Sequence, residues 1–257
     1  MFGILTKRRR DKLRRMAPPP QWSDILRRTF PLFARLDPAD QQELLGHIQV
    51  FVAEKHFEGC AGLEVTDEIR VTIAAQACLL LMHRDTDYYR RLRSILVYPR
   101  AYLVEHEEQR GDIVHRYATE RAGESWHFGA VVLAWDEVLA GASDPLDGYN
   151  VVFHEFAHQL DQEDGAAEGT PKLEHRSRYV AWARVLGREF RRLQRSVIRG
   201  EETLLDNYGA RDPAEFFAVS TEFFFERPHD LRRRHPALYD QLRQFYRQDP
   251  AKFVEDS

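Results

Sequence analysis

Cysteine is almost absent: Cys60 and Cys78 are the two in a chain of 257 residues, and they form no CxxC pair. That excludes a disulfide framework and argues against a cysteine-based metal site, while one bond between the two stays open. Long apolar runs are lacking too. The longest, Val71 to Met82, is interrupted by Gln76 and falls short of the ~20 residues a transmembrane helix needs. The basic residues near the start are followed by no apolar stretch of the kind a secretory leader carries. The expectation is a cytoplasmic protein with no transmembrane segment. An excess of basic charge is also missing: 37 Lys and Arg against 41 Asp and Glu leave a net charge of -4, which argues against direct nucleic-acid binding.

What is present is the composition of a globular protein, with 43% hydrophobic and 30% charged residues, so neither disorder nor a fibrous repeat is indicated. Residues 1–20 read as a basic, flexible arm: Lys7, Arg8, Arg9, Arg10, Lys12, Arg14 and Arg15 cluster there, and Pro18, Pro19 and Pro20 block a continuous helix into the body. Either it is a solvated tail, or it makes an electrostatic contact with an acidic partner or membrane surface, helped by Phe2, Ile4 and Leu5. Residues 21–85 read as a helical part and 86–257 as the part that carries the chemistry, with 21–257 one compact unit.

The pattern is helical from Trp22 to about Met82, with Asp37 and Pro38 opening one helix as N-cap and first-turn proline and another running from Asp67 to Leu81. Ile95–Tyr98, Ala101–Val104 and Val131–Trp135 read as strands. The helical period then returns over 149–163, 176–198, from Asp212, and over 237–247. In the long helix, Val180, Trp182, Val185, Leu186, Phe190 and Leu193 are expected to pack in the core. Helices, a small sheet and helices again give an α+β class.

The chemistry lies in Val151-Val-Phe-His-Glu-Phe-Ala-His-Gln-Leu-Asp161, which contains HExxH. On a helix, His154 and His158 stand one turn apart on one face, where two imidazoles can share an ion. Zinc accepts two neutral imidazoles and a carboxylate and leaves a position for water, from which Glu155 can take a proton. A buried, hydrogen-bonded His pair with an incidental Glu is the competing reading; the bulky apolar neighbours of the motif weigh against it. Asp161 reads equally as a residue orienting an imidazole or as a helix-end surface residue.

No third histidine follows at the spacing of HExxHxxGxxH, so the third ligand is expected to be a carboxylate on a later helix. Glu215 and Glu222 are seven residues apart, on one helical face, and spacing leaves them tied. Glu215 has a rival role, because Asp212, Pro213 and Glu215 spell a capping-box-like start.

The chain resembles the Mlc titration factor A family of bacterial metallopeptidases and, more distantly, the catalytic domain of anthrax lethal factor. The resemblance rests on His154-Glu-Phe-Ala-His-Gln-Leu-Asp161, on Asn207-Tyr-Gly-Ala-Arg-Asp-Pro-Ala-Glu-Phe-Phe-Ala-Val-Ser-Thr-Glu-Phe-Phe225 and on Gln244-Phe-Tyr-Arg-Gln-Asp-Pro250. Gly123-Glu-Ser-Trp126 and Val131-Val-Leu-Ala-Trp135 add the strand before the active-site helix. It implies a zincin-like, gluzincin-type core with one zinc ion held by His154, His158 and Glu215. Glu155 is then the general base and Tyr208, seven residues before Glu215, the oxyanion donor, with Glu222 behind the ligands.

The resemblance further implies aminopeptidase-like action on a peptide or protein substrate and binding of the glucose repressor Mlc, a transcriptional regulator. The GAMEN string of amine-recognising aminopeptidases does not occur here. Residues 7–15 carry nothing of the resemblance. An extended peptide is expected to lie along Val131–Trp135 as an added strand. Two other readings remain: a regulator-binding protein whose zinc site is vestigial or structural, and a hydrolase of non-peptide substrates. The loop Gly165–Lys172 reads as a lid or as ordinary surface.

Overall fold

In the computed structural model the described residues are 2–110, 113–121, 123–126, 129–165 and 168–254, with the side chains of 2–3, 102–128 and 164 outside the description. The basic stretch forms helix α1 (Phe2–Arg15), which stops before the prolines, and α2 (Pro20–Thr29) starts on the last of them. Arg10 explains why the stretch is fastened. Its guanidinium binds both oxygens of Glu54 at 2.9 Å and Asp87 Oδ1 at 2.7 Å. After one turn of α3 (Leu32–Arg35), helix α4 (Pro38–Glu54) begins at Asp37, whose carboxylate takes the Ala39 and Asp40 amides at 2.9 Å.

Strand β1 (His56–Gly59), helix α5 (Asp67–Leu79) and strand β2 (Ser94–Tyr98) make the first crossover of the sheet. The expected strand at Ala101–Val104 starts a longer hairpin, β3 (Tyr102–Arg110) with β4 (Ile113–Arg121), paired apart from the main sheet. Then come β5 (Gly123–Trp126) and β6 (Ala130–Ala134). The order in the main sheet is β1-β2-β6-β5, with β1, β2 and β6 parallel and β5 antiparallel to β6.

This order corrects one expectation. The strand read as Val131–Trp135 ends at Ala134, because Trp135 opens helix α6 (Trp135–Ser143), with Asp136 and Glu137 in its first turn. More important, β6 is paired on both sides, so its backbone has no free groups for a peptide. Among the described residues the open edge on that side is β5, which packs against α7 (Val151–Asp161).

Helices α8 (Arg178–Arg199), α9 (Pro213–Glu226), α10 (Pro228–Arg234) and α11 (Pro236–Tyr246) complete the α+β architecture. Every residue of α9 from Phe216 to Glu226 is buried, which is why that helix is apolar nearly all round. Phe224 and Phe225 pack on Tyr246, and Phe217 on Trp182 and Phe245. Of the residues expected to face the core from α8, Trp182, Val185, Leu186 and Leu193 do, and Phe190 is half-buried against it. Val180 instead stands 77% exposed, within the first turn of the helix. Both cysteines are free thiols.

Candidate metal centre

Helix α7 starts where Asn150 can serve three partners at once. Its side-chain oxygen caps Phe153 N at 2.9 Å, and its amide donates to Gln76 Oε1 at 2.9 Å and Gly141 O at 3.1 Å. With that start, His154 and His158 face α9. At the other end the buried Asp161 carboxylate accepts Gly169 N at 2.8 Å and Thr170 N at 2.7 Å. The described part of the loop Gly165–Lys172 is therefore pinned. Gly169 also accepts the Trp182 indole at 3.1 Å, and a Cβ there would lie 2.1 Å from Pro213 O, so only glycine lets loop and α9 approach.

Helix α9 brings up both carboxylates. Asp212 caps its start through the Ala214 and Glu215 amides. Glu215 does not return to the cap: its Oε2 lies 3.0 Å from His154 Nε2 and 3.2 Å from His158 Nε2, and the two Nε2 atoms are 3.2 Å apart. Glu222, two turns on and more deeply buried, meets the far side of the ring: its Oε1 accepts from His154 Nδ1 at 2.7 Å and its Oε2 from Asn150 N at 2.7 Å. The geometry thus divides the two glutamates that spacing left tied.

These three donors fit a zinc ion. Ligand atoms ~2.0–2.1 Å from a tetrahedral zinc stand about 3.3–3.4 Å apart, close to the separations here. In the neutral ring the Glu222 bond favours the proton on Nδ1, which would leave the Nε2 lone pair to a metal. A second group, Asp40, Glu43 and His83, also meets within 4.8 Å. There both ring nitrogens of His83 face carboxylates, at 3.2 Å from Asp40 and 3.0 Å from Glu43, and Glu43 also takes the His83 amide. That arrangement staples a turn to α4.

Electrostatics separate the carboxylates further. Burial pushes the Glu155 carboxyl up, against the pull of the two imidazoles, and no described residue hydrogen-bonds it. Burial would also raise Glu215, but the hydrogen bonds from His154 and His158 outweigh it and hold that carboxyl well below the usual range. His154 would be lowered by burial; the Glu222 charge and its two carboxylate bonds lift it well above its ordinary value in the metal-free site.

Tyr208 sits on the 3-10 turn Asn207–Ala210, shaped by Asp206, which accepts Tyr208 N at 2.7 Å. Its hydroxyl donates to Glu215 Oε1 at 3.2 Å and accepts from Arg211 Nη1 at 3.1 Å, and its ring is 48% exposed, open to a ligand. Burial and the Glu215 charge push the phenol up, with Arg211 opposing. Arg211 and Asn150 were not expected from the sequence, whereas Glu222 stands behind the ligands as the resemblance implied. Arg211 lies three residues after Tyr208, a spacing that could have pointed to it.

The sequence matches the glucose-regulated metallo-peptidase M90 family over residues 4–247, so all but the first two residues of α1 lie within the match. The chain belongs to this family. Mlc titration factor A of Serratia proteamaculans is 35% identical over 90% of this chain and 87% of its own length. That of Klebsiella pneumoniae is 32% identical over 92% and 89%. An uncharacterised protein of Synechocystis, slr2042, is 43% identical over 90% of this chain and 85% of its own. Membership of a family of metallo-peptidases implies a metal ion, and none of the described helices is long and apolar enough to cross a membrane.

Proposed function

We propose that the protein is a zincin-like, zinc-dependent peptidase, with His154, His158 and Glu215 as ligands and Glu155 as general base. The observation that carries this reading is the convergence of His154 Nε2, His158 Nε2 and Glu215 Oε2 to within 3.0–3.2 Å, with the far nitrogen of His154 held by Glu222. Zinc bound there would polarise a scissile carbonyl and bring the pKa of its water to about 7.

The chain's own residues do the rest. Glu155, buried and free of described hydrogen-bond partners, takes the proton of the attacking water and later delivers it to the leaving nitrogen. Tyr208 donates to the carbonyl oxygen as negative charge develops, and Arg211 supports the phenol from behind. An extended peptide joins the open edge of β5, beside α7, through backbone hydrogen bonds that are tolerant of sequence. Substrates are peptides or proteins; aminopeptidase-like selectivity comes from the family resemblance alone. A cytoplasmic site fits the free thiols Cys60 and Cys78.

The test is peptide hydrolysis by zinc-loaded Glu155→Gln. The variant keeps the metal and loses about 10²–10⁴-fold in rate; undiminished hydrolysis removes Glu155 from the mechanism. A second reading has support in the name of the relatives, which are called titration factors of Mlc. If binding a repressor of that kind is the function and the metal is structural, Glu155→Gln leaves repressor capture intact.

A further inference from the structure

We propose that the first two turns of α1 dock the protein on the surface of an anionic lipid bilayer. Helix α1 runs antiparallel to α4: Arg14 lies against Gly46, where a Cβ would sit 3.2 Å from the Arg14 carbonyl, while Arg10 binds Glu54. Because α4 ends at Glu54, the turns before Arg10 run on past it, for about 12 Å at ~1.5 Å per residue. Residues 4–9 are all exposed.

Two kinds of side chain stand on this overhang. Ile4 and Leu5 are 64% and 60% exposed, among the few large aliphatics so placed. Lys7, Arg8 and Arg9 follow at once, and none of them pairs with an acid among the described residues. The helix holds seven basic residues and one acid, Asp11, a net of +6; with -4 on the whole chain, the remainder carries -10.

An anionic bilayer discriminates between these two parts. It attracts the overhang and repels the acidic body, which orients the molecule with the helix tip toward the lipid. Ile4 and Leu5 can then enter the boundary between headgroups and acyl chains while the cations stay among the headgroups. The clamp of Arg10 on Glu54 and Asp87 keeps the tip pointing outward. An acidic protein surface would meet the charges alone and leaves the two exposed aliphatics without a role, so the bilayer is the better fit.

The test is flotation of the full chain with vesicles of phosphatidylcholine, or of phosphatidylcholine with about one third phosphatidylglycerol, at ~0.15 M salt. Two variants accompany it, Lys7→Glu/Arg8→Glu/Arg9→Glu and Ile4→Ser/Leu5→Ser. All five side chains are exposed, and an unchanged urea midpoint verifies the fold. The expected result is binding to the anionic vesicles only, weakened at least about tenfold by charge reversal and severalfold by the serine pair. Equal affinity for both vesicles, or full binding by the charge-reversed variant, overturns the proposal. Full binding by the serine pair overturns insertion of Ile4 and Leu5, and binding to neither vesicle overturns the proposal and points to an acidic protein surface. The metal centre plays no part, so Glu155→Gln binds vesicles as the unaltered chain does.

Discussion

Glu222 accepts a hydrogen bond from Nδ1 of His154 at 2.7 Å while its second oxygen takes the backbone amide of Asn150, the residue that caps the same helix. One buried carboxylate therefore fixes both the rotation of a candidate ligand ring and the start of the helix that carries it. Ligand orientation is expected to respond to Glu222 without depending on it entirely. In Glu222→Ala zinc affinity falls by about 10- to 100-fold, measured by competition with a chromogenic chelator. Unchanged affinity would show that packing alone orients His154.

Asn150 gives a stability prediction. Asn150→Ala removes the cap on Phe153 and leaves Gln76 Oε1 and Gly141 O without their donor in a buried place. The zinc-free protein should lose about 1–3 kcal/mol in urea unfolding. A loss within error would mean that another donor replaces the amide.

The pH dependence of metal uptake follows from His154. Burial would lower its imidazole, but Glu222 and Glu215 raise it well above its ordinary value in the metal-free site. Zinc takes the neutral ring, so uptake at a pH below that raised value releases a proton. Affinity is expected to rise with pH until the raised value is passed. Calorimetry in buffers of different ionisation enthalpy reads the proton count directly. The same shifts set the stability of the zinc-free protein. The His154 contribution is full below the unfolded value near 6.5 and lost as pH rises through the folded value. That of Glu215 is full above the unfolded value and lost as pH falls through its depressed one.

Tyr208→Phe keeps the ring and removes the donor to the developing oxyanion. The expected outcome is full zinc content with kcat down by about 10²–10³-fold and KM little changed. A normal kcat would assign oxyanion stabilisation elsewhere, with Arg211 the nearest candidate.

Several of these residues could be read from the sequence because their signals are local. His154, Glu155 and His158 lie within one and a half turns of a single helix, and helix periodicity alone puts the two imidazoles together. Glu215 and Glu222 could not be separated in this way. Both lie on the face of α9 that meets α7, and which carboxylate reaches Nε2 and which Nδ1 depends on how the two helices pack. The order of the sheet was equally hidden: β6 and β5 differ in which edges are paired, a long-range property that the strand pattern of Val131–Ala134 does not record. Nor did the basic run in α1 reveal its anchor, because Arg10 finds Glu54 and Asp87 far along the chain.

The central claim is that His154, His158 and Glu215 form one zinc site, and elemental analysis of purified protein tests it most directly. The account predicts about one tightly held zinc per chain, lost in Glu215→Ala. A chain that takes up no zinc on reconstitution, or a Glu215→Ala variant that holds it as firmly as the original, would contradict it.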